Sequence, residues 1–332
     1  MKVAYLGTGA WGFCLASLIA AKGHTVISWT TKKELADRLE LTREHESLPG
    51  HRSEGDMRFT VDLEEALEGA DIIVESVTSG GVRPVFEKVR TLGMPNCPVI
   101  ITSKGIEQKT GLILPEVVVE VLGDKARDLI GVMSGPSFAH DVIRKLPTSV
   151  VGTGYSPNAI KAVLDLFTTQ NFRVYPNSDI VGVCYGGALK NIVAIACGIS
   201  EGLALGMSSS AALMTRGLHE IRKLSQAYGA KQETLYGLSG MGDLCLTSSS
   251  LLSRNFRFGH MLAQGLSGKE AKEKIGMVVE GAYSCVSALE LSKKAEVAMP
   301  ITEMVSKIIY EDLDPKAAAM ELMQRTIKEE HL

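Results

Sequence analysis

The chain has 332 residues, 45% of them hydrophobic and 22% charged, which suits about two domains with a core large enough to need no staples. Its 35 basic and 38 acidic side chains leave a formal charge of −3, which excludes a nucleic-acid binder held by a diffuse basic field but leaves room for a small basic pocket. Six scattered cysteines (Cys14, Cys97, Cys184, Cys197, Cys245, Cys285) form no C-x-x-C pair and have no histidines at zinc-ligand spacing, so no metal is expected and the thiols read as buried groups of a reducing compartment.

Met1-Lys2 leads straight into an apolar run and then glycines, too short and too broken for a signal peptide. No stretch of about 20 residues lacks both charge and helix-breaking sequence, so no membrane span is expected and a cytoplasmic protein is the working reading. Residues 3–6, 25–29, 72–77, 99–102, 130–133 and 149–153 are short apolar runs that predict strands buried on both faces. Helical patterns fall between them at 11–22, 33–41, 63–68, 82–92 and 114–122, with Asp62 and Glu65 as a capping box for the third. This alternation predicts an α/β, doubly wound parallel sheet of the Rossmann type. The polar stretch 41–56 is expected to be an exposed, mobile loop. After Pro176-Asn177-Ser178 the strand signal ends, and helical periodicity runs through 193–205, 211–228, 282–291 and 301–309. The boundary is therefore placed at Asp179, between an α/β domain over residues 1–179 and an all-α domain over residues 180–332.

The first strand runs into Gly7-Thr8-Gly9-Ala10-Trp11-Gly12. In this G-x-G-x-x-G spacing Gly7 permits a tight turn, Gly9 lets a pyrophosphate approach the backbone, and Gly12 packs helix on strand. The end of the second strand reads Ser28-Trp29-Thr30-Thr31-Lys32-Lys33, with no carboxylate for a ribose 2′-hydroxyl. That favours tolerance of a 2′-phosphate, hence NADP over NAD.

Lys190 is the only charge in the run 180–200. Burial there should lower its pKa towards neutrality and fit it to exchange a proton with a carbonyl oxygen. Lys104 follows a predicted strand end, where a doubly wound sheet has its ligand crevice. Ser134-Gly135-Pro136-Ser137-Phe138 follows another strand end as a rigid turn able to face a ligand. The glycine-rich stretch 237–243 ends on Asp243, and Ser253-Arg254-Asn255 suits a phosphate. His140 sits beside the turn at 134–138 but reads as a polar loop residue, and His24, His45, His51, His219, His260 and His331 form no useful pairing.

Seven motifs occur in order: GxGxWG at the start, TSKGIE at 102–107, SGPSFA at 134–139, ALKNIVAI at 188–195, LSGMGDLCLT at 238–247, SRN at 253–255 and VVEG at 278–281. Together they resemble the bacterial-type NAD(P)-dependent glycerol-3-phosphate dehydrogenases over nearly the whole chain. The resemblance implies reversible reduction of dihydroxyacetone phosphate to sn-glycerol 3-phosphate for phospholipid synthesis, by a homodimer with NADP or NAD. It implies that Lys190 is the general acid/base and that Lys104 serves both cofactor and substrate, with Asp243 in the catalytic group. Substrate contacts then fall on Gly135, Ser137, Asp243, Ser253, Arg254 and Asn255. Cofactor contacts fall on the glycine turn with Ala10 and Trp11, and on Thr31, Ala139, Arg254, Val278 and Glu280. Asn191 and Thr247 match polar substrate-site positions of another branch. The chain departs from the family pattern at Ala10 (commonly serine), Phe13-Cys14 (commonly Thr-Ala), Thr31 (commonly basic), Val77-Thr78-Ser79 (commonly V-P-S) and Asp141 (commonly Glu). A 3-hydroxyacid dehydrogenase would share the lysine but have no use for Ser253-Arg254-Asn255, and a non-catalytic cofactor sensor would need no Lys104, Lys190 and Asp243 together.

Overall fold

A computed structural model describes residues 1–327, 329 and 330, so His331 lies outside the described residues. Eight strands among them form one sheet in the order β3-β2-β1-β4-β5-β6-β7-β8. They are β1 (Lys2–Leu6), β2 (Thr25–Trp29), β3 (Met57–Thr60), β4 (Ile72–Glu75), β5 (Val99–Ile101), β6 (Ile130–Ser134), β7 (Thr148–Gly154) and β8 (Phe172–Pro176). Pairing is parallel throughout except between β6 and β7. The sheet separates two apolar layers. Along β1, Val3 and Tyr5 join one cluster while Ala4 and Leu6 join the other, and all four are fully buried. Period-2 alternation with both faces covered explains why the central strands are uniformly apolar.

Two strands were not anticipated. β3 has the alternation buried–exposed–buried through Met57, Arg58 and Phe59, but it is four residues long and follows a polar stretch. β8 carries Arg173 and ends on Pro176, a composition that a sheet tolerates at its edge. The stretch 41–56 also departs from expectation. His45 and Leu48 are buried within it, and an isolated bridge joins Glu44 to Arg52. Asp62 caps its helix by accepting the Glu64 and Glu65 amides, but the Glu65 carboxylate takes the Thr60 hydroxyl instead of completing a capping box. The full capping box stands at Ser267 and Glu270. Among the six free thiols Cys245 is exposed, contrary to the expectation of burial.

From Ile180 the described chain is helical. The helix Ile180–Gly202 is its axis, capped by Asp179, whose carboxylate accepts the Gly182 amide at 2.9 Å and the Lys231 amide at 2.8 Å. Its length and mean hydropathy of 1.7 would suit a membrane span, yet 94% of the relevant window is buried inside the protein. It is a core helix, enclosed by the helices Met207–Ala227, Arg254–Ala263 and Glu280–Lys294.

Glycines set how near those neighbours come. A Cβ on Gly198 would stand 2.0 Å from the Phe256 carbonyl oxygen, and one on Gly259 would stand 2.0 Å from that of Ile195. Two helix backbones therefore touch at a reciprocal pair of glycines. Burying each large apolar side chain around this seam is worth about 1.5–3 kcal/mol, and close approach is what completes the burial. Gly198→Ala is expected to destabilise the fold by at least about 1–3 kcal/mol in urea unfolding, because backbone has to give way. Gly80→Ala, where an added Cβ meets nothing within 4 Å, should change it little.

Candidate active site

β1, β2, β4, β5 and β6 run parallel, so the segments that leave their C-terminal ends gather on one edge of the sheet. That edge receives the Gly7–Gly12 turn, Thr31, Ser79, Lys104 and Gly135 in that chain order. The strand order reverses between β2-β1 and β4-β5, which opens a crevice beside the glycine turn.

The three glycines do different work. Gly7 has φ +112°, and a Cβ there would lie 2.6 Å from the Ser76 carbonyl oxygen. A Cβ on Gly12 would lie 2.1 Å from the Gly7 carbonyl oxygen, so it fixes helix against strand. A Cβ on Gly9 would meet nothing within 4 Å. Gly9 keeps open space above the N-terminus of the helix Ala10–Ala21, which no side chain caps. Free amides and the positive end of the helix dipole facing an open cradle fit a pyrophosphate. Ala10 and Trp11 are half-buried at the same helix start, and Thr31, Lys32 and Lys33 are exposed at the end of β2.

At the other side of the crevice one carboxylate holds two ammonium groups. Lys190 Nζ donates to Asp243 Oδ1 at 2.6 Å and to Thr247 Oγ1 at 2.6 Å. Lys104 Nζ donates to Asp243 Oδ2 at 2.6 Å and to the Gly135 carbonyl at 2.9 Å. Asp243 is 1% exposed and Lys190 6%. Burial pulls the Lys190 pKa down to about 8, against the Asp243 charge, which raises it, and with Lys104 and Arg254, which lower it further. The lysine anticipated from its uncharged run is buried but paired.

The local fold makes this arrangement possible. The π-helical turn Leu238–Gly242 delivers Asp243 to the start of the helix Asp243–Ser248. That turn lies against the central helix at Gly186, where a Cβ would be 2.7 Å from the Ser239 carbonyl oxygen. Lys190 follows Gly186 by four residues and so shares its face. Gly187 clears the path for the other lysine, since a Cβ there would be 2.6 Å from Ser134 Oγ and 3.5 Å from Lys104 Cγ. The Gly186-Gly187 pair was passed over in the sequence. Two adjacent glycines inside a helix cost roughly 1 kcal/mol each against alanine, and that cost was the available signal of a close approach.

Around this centre stand the remaining residues. Gly135 has φ +148°, and a Cβ there would be 2.8 Å from Val150 Cα. Ser137 Oγ donates to the Gly135 carbonyl at 3.2 Å. Ser253 caps the helix Arg254–Ala263 by accepting the Phe256 amide, so Arg254 and Asn255 open a ten-residue helix. Arg254 Nη1 donates to the Val278 carbonyl at 3.1 Å. Asn255 donates to Asn191 Oδ1 at 3.0 Å and accepts the Gly281 amide at 2.9 Å, which ties three helices together beside Lys190. Glu280 reaches back across the crevice and accepts the Ser79 hydroxyl at 2.5 Å and the Ser79 amide at 3.3 Å. Ala139 is half-buried and its carbonyl lies 3.5 Å from Cys14 Sγ. His140 is exposed.

The crevice thus combines an open, uncapped helix N-terminus with a buried lysine–carboxylate–lysine bridge and a second helix N-terminus marked by an arginine. A family model described as the NAD-dependent glycerol-3-phosphate dehydrogenase N-terminus matches residues 2–159, and one described as the C-terminus of that enzyme matches residues 179–320. The chain is 67% identical over 331 residues to a glycerol-3-phosphate dehydrogenase (NAD(P)+) of Protochlamydia amoebophila, covering 100% of this chain and 99% of the relative. It is 50% identical over 331 residues to the protein of the same description from Chlamydia abortus, again covering 100% and 99%. The crystal structure of a glycerol-3-phosphate dehydrogenase from Coxiella burnetii superposes with a TM-score of 0.93 at 38% identity, covering 98% of this chain and 99% of that one. With both halves matched in order and the similarity running end to end, this chain belongs to the NAD-dependent glycerol-3-phosphate dehydrogenase family.

Proposed function

We propose that this protein reduces dihydroxyacetone phosphate to sn-glycerol 3-phosphate, and catalyses the reverse reaction, with Lys190 as the proton donor and acceptor. The observation that carries this reading is the buried Lys190–Asp243–Lys104 bridge at the edge of the sheet that also presents the glycine turn. The reduced nicotinamide supplies the hydride. Gly7, Gly9 and Gly12 with the Ala10 and Trp11 amides would hold its pyrophosphate, Ala139 would contact it from beside the glycine-turn helix, and Arg254, Val278 and Glu280 would contact it from the helical half. Thr31, Lys32 and Lys33, with no acid among them, favour NADP while leaving NAD admissible.

The substrate phosphate is assigned to Arg254 and the helix N-terminus at Ser253 and Asn255, where a guanidinium fork and backbone amides suit an anion. Anchoring that end fixes the ketone near Lys190 and converts an encounter into a positioned reaction. As hydride reaches the carbonyl carbon, the oxygen takes a proton from the Lys190 ammonium, which is left as a neutral amine. Lys104 adds positive potential beside the developing alkoxide. Asp243 keeps both ammoniums in place, and Gly135 with Ser137 shapes the wall beside Lys104. We place the protein in the cytoplasm, supplying glycerol 3-phosphate for phospholipid synthesis. We also propose a homodimer. A cavity of about 540 Å³ on the face of the central helix away from Lys190 has exposed Leu205, Met323 and Ile327 at its margin, an apolar surface suited to a second copy.

Oxidation of NADPH or NADH on adding dihydroxyacetone phosphate tests the activity, and no oxidation with either cofactor contradicts it. Lys190→Ala should lose roughly a hundredfold or more of turnover. The wild-type reduction needs the ammonium, so its rate should fall as pH rises through about 8, while oxidation, which needs the free amine, should rise. Asp243→Asn removes the anion that holds the Lys190 pKa up. That pKa, followed by NMR of methyl-labelled lysine, should then fall below about 8. The fold should also lose about 3–5 kcal/mol, because the buried Lys190 ammonium loses its counter-charge. Arg254→Ala should raise KM for dihydroxyacetone phosphate about ten- to a hundredfold, the worth of a charged hydrogen bond, with a smaller effect on kcat.

A further inference from the structure

Glu75 ends β4, and its side chain is fully buried. Carboxyl oxygen Oε1 accepts the Val77 amide at 2.5 Å and lies 2.7 Å from the Ser103 hydroxyl oxygen. The other oxygen, Oε2, is buried with no hydrogen-bond partner among the described residues. Ser103 Oγ lies 2.5 Å from the Val77 carbonyl as well. A serine hydroxyl carries one hydrogen, so it serves Glu75 or Val77 but not both. An ionised Glu75 only accepts. It would take the Ser103 hydrogen, leave the Val77 carbonyl without its donor, and strand a charged Oε2 in the interior, where an unpaired polar atom is most costly. A neutral Glu75 donates to Ser103 Oγ, which passes its own hydrogen to Val77. The chain Glu75–Ser103–Val77 is then complete.

We propose that Glu75 is a positioning residue held as a neutral acid, whose proton ties the loop after β4 to the loop after β5 that carries Lys104, so that cofactor affinity depends on that proton. The inference rests on the reading that the cofactor lies along this crevice. The loop at 76–81 forms its floor. The Ser76 carbonyl packs under Gly7, and Ser79 is bound to Glu280 from the helical side. Tyr5 adds to the same network by bonding Ser76 Oγ at 2.7 Å. Losing the Val77–Ser103 link loosens this floor against the Lys104 loop, leaving the two joined only nearer the strand ends, where Ser76 and Thr102 meet through their hydroxyls.

The surroundings favour the proton. Burial pushes the Glu75 carboxyl up to about 7, opposed by the donors Ser103 and Val77, and Glu280 on the helix Glu280–Lys294 adds a like charge. The Tyr5 phenol of β1 also faces it and is itself pushed up by burial. The cations on the flanking segments are committed elsewhere. Lys104 donates to Gly135 and Asp243, and Arg83 to Glu107 and Glu120. Glu75 therefore keeps its proton below about pH 7 and releases it above, and cofactor binding should weaken in that direction.

The test is the Kd for NADPH, read by nicotinamide fluorescence through neutrality, a binding equilibrium that requires no proton transfer by Lys190. Wild-type Kd should rise with pH by about three- to tenfold, the net worth of one hydrogen bond. Glu75→Gln should remove that rise. Glu75→Met, uncharged and of similar volume, gives the same test if the second amide hydrogen of glutamine disturbs folding. A flat wild-type profile, or a rise that persists in a folded variant, overturns the proposal. The crevice reading fails separately, if Gly9→Val leaves NADPH binding intact at every pH.

Discussion

Asp243 is the constraint on which the rest depends. Two lysines approach one buried carboxylate from different halves of the molecule, Lys104 from the sheet edge and Lys190 from the central helix. The Lys190 ammonium is costly so deep without an anion, and the buried Asp243 carboxylate is equally costly without a cation. The bridge therefore joins the two halves, at the place where we propose that ketone and hydride donor meet. It also sets the acidity of Lys190. Burial alone would drive that amine towards the neutral form, and the Asp243 charge limits the fall to about 8. A group poised there gives up a proton near neutral pH and recovers one readily.

Glycine makes the bridge reachable. The central helix meets Ser239 at Gly186, the Lys104 stem and Ser134 at Gly187, and the helix Arg254–Ala263 at Gly198. At Gly186 and Gly198 the contact is with backbone and at Gly187 with the short Ser134 side chain, so a methyl group would force these partners apart. Such packing is dense and intolerant of added volume. It carries Arg254 and Asn255 to the same side of the helix as Lys190, through the Asn191–Asn255–Gly281 hydrogen bonds. Here the fold and the site are one arrangement, since the residues that permit the close approach are one or two helical turns from those that face the crevice.

Much of this was legible in the sequence. The central strands are buried on both faces, so an unbroken apolar run was sufficient to locate β1, β2, β4, β5, β6 and β7. β3 and β8 lie at the sheet edges, where Arg58 and Arg173 are allowed and the apolar signal is halved. Lys190 stood out because charge is scarce in a core helix. From its own neighbours Asp243 was visible as the end of a glycine-rich turn, and the resemblance put it in the catalytic group, but nothing local announces its partner 53 residues away. Glu280 looked like a residue for a ligand, yet its carboxylate is engaged with Ser79, 201 residues away. Glu75 escaped notice inside the predicted strand 72–77, because a single acid in a short apolar run carries no signal of its partners until its burial is known.

The most direct measurement of the central claim is chemical rescue of Lys190→Ala by small primary amines. An ammonium supplied from solution should restore turnover of dihydroxyacetone phosphate, with a rate that follows the concentration of the protonated amine and its acidity. A folded variant that binds cofactor and substrate yet gains nothing from any amine of suitable size, or one that turns over at nearly the wild-type rate without it, contradicts the assignment of proton transfer to Lys190.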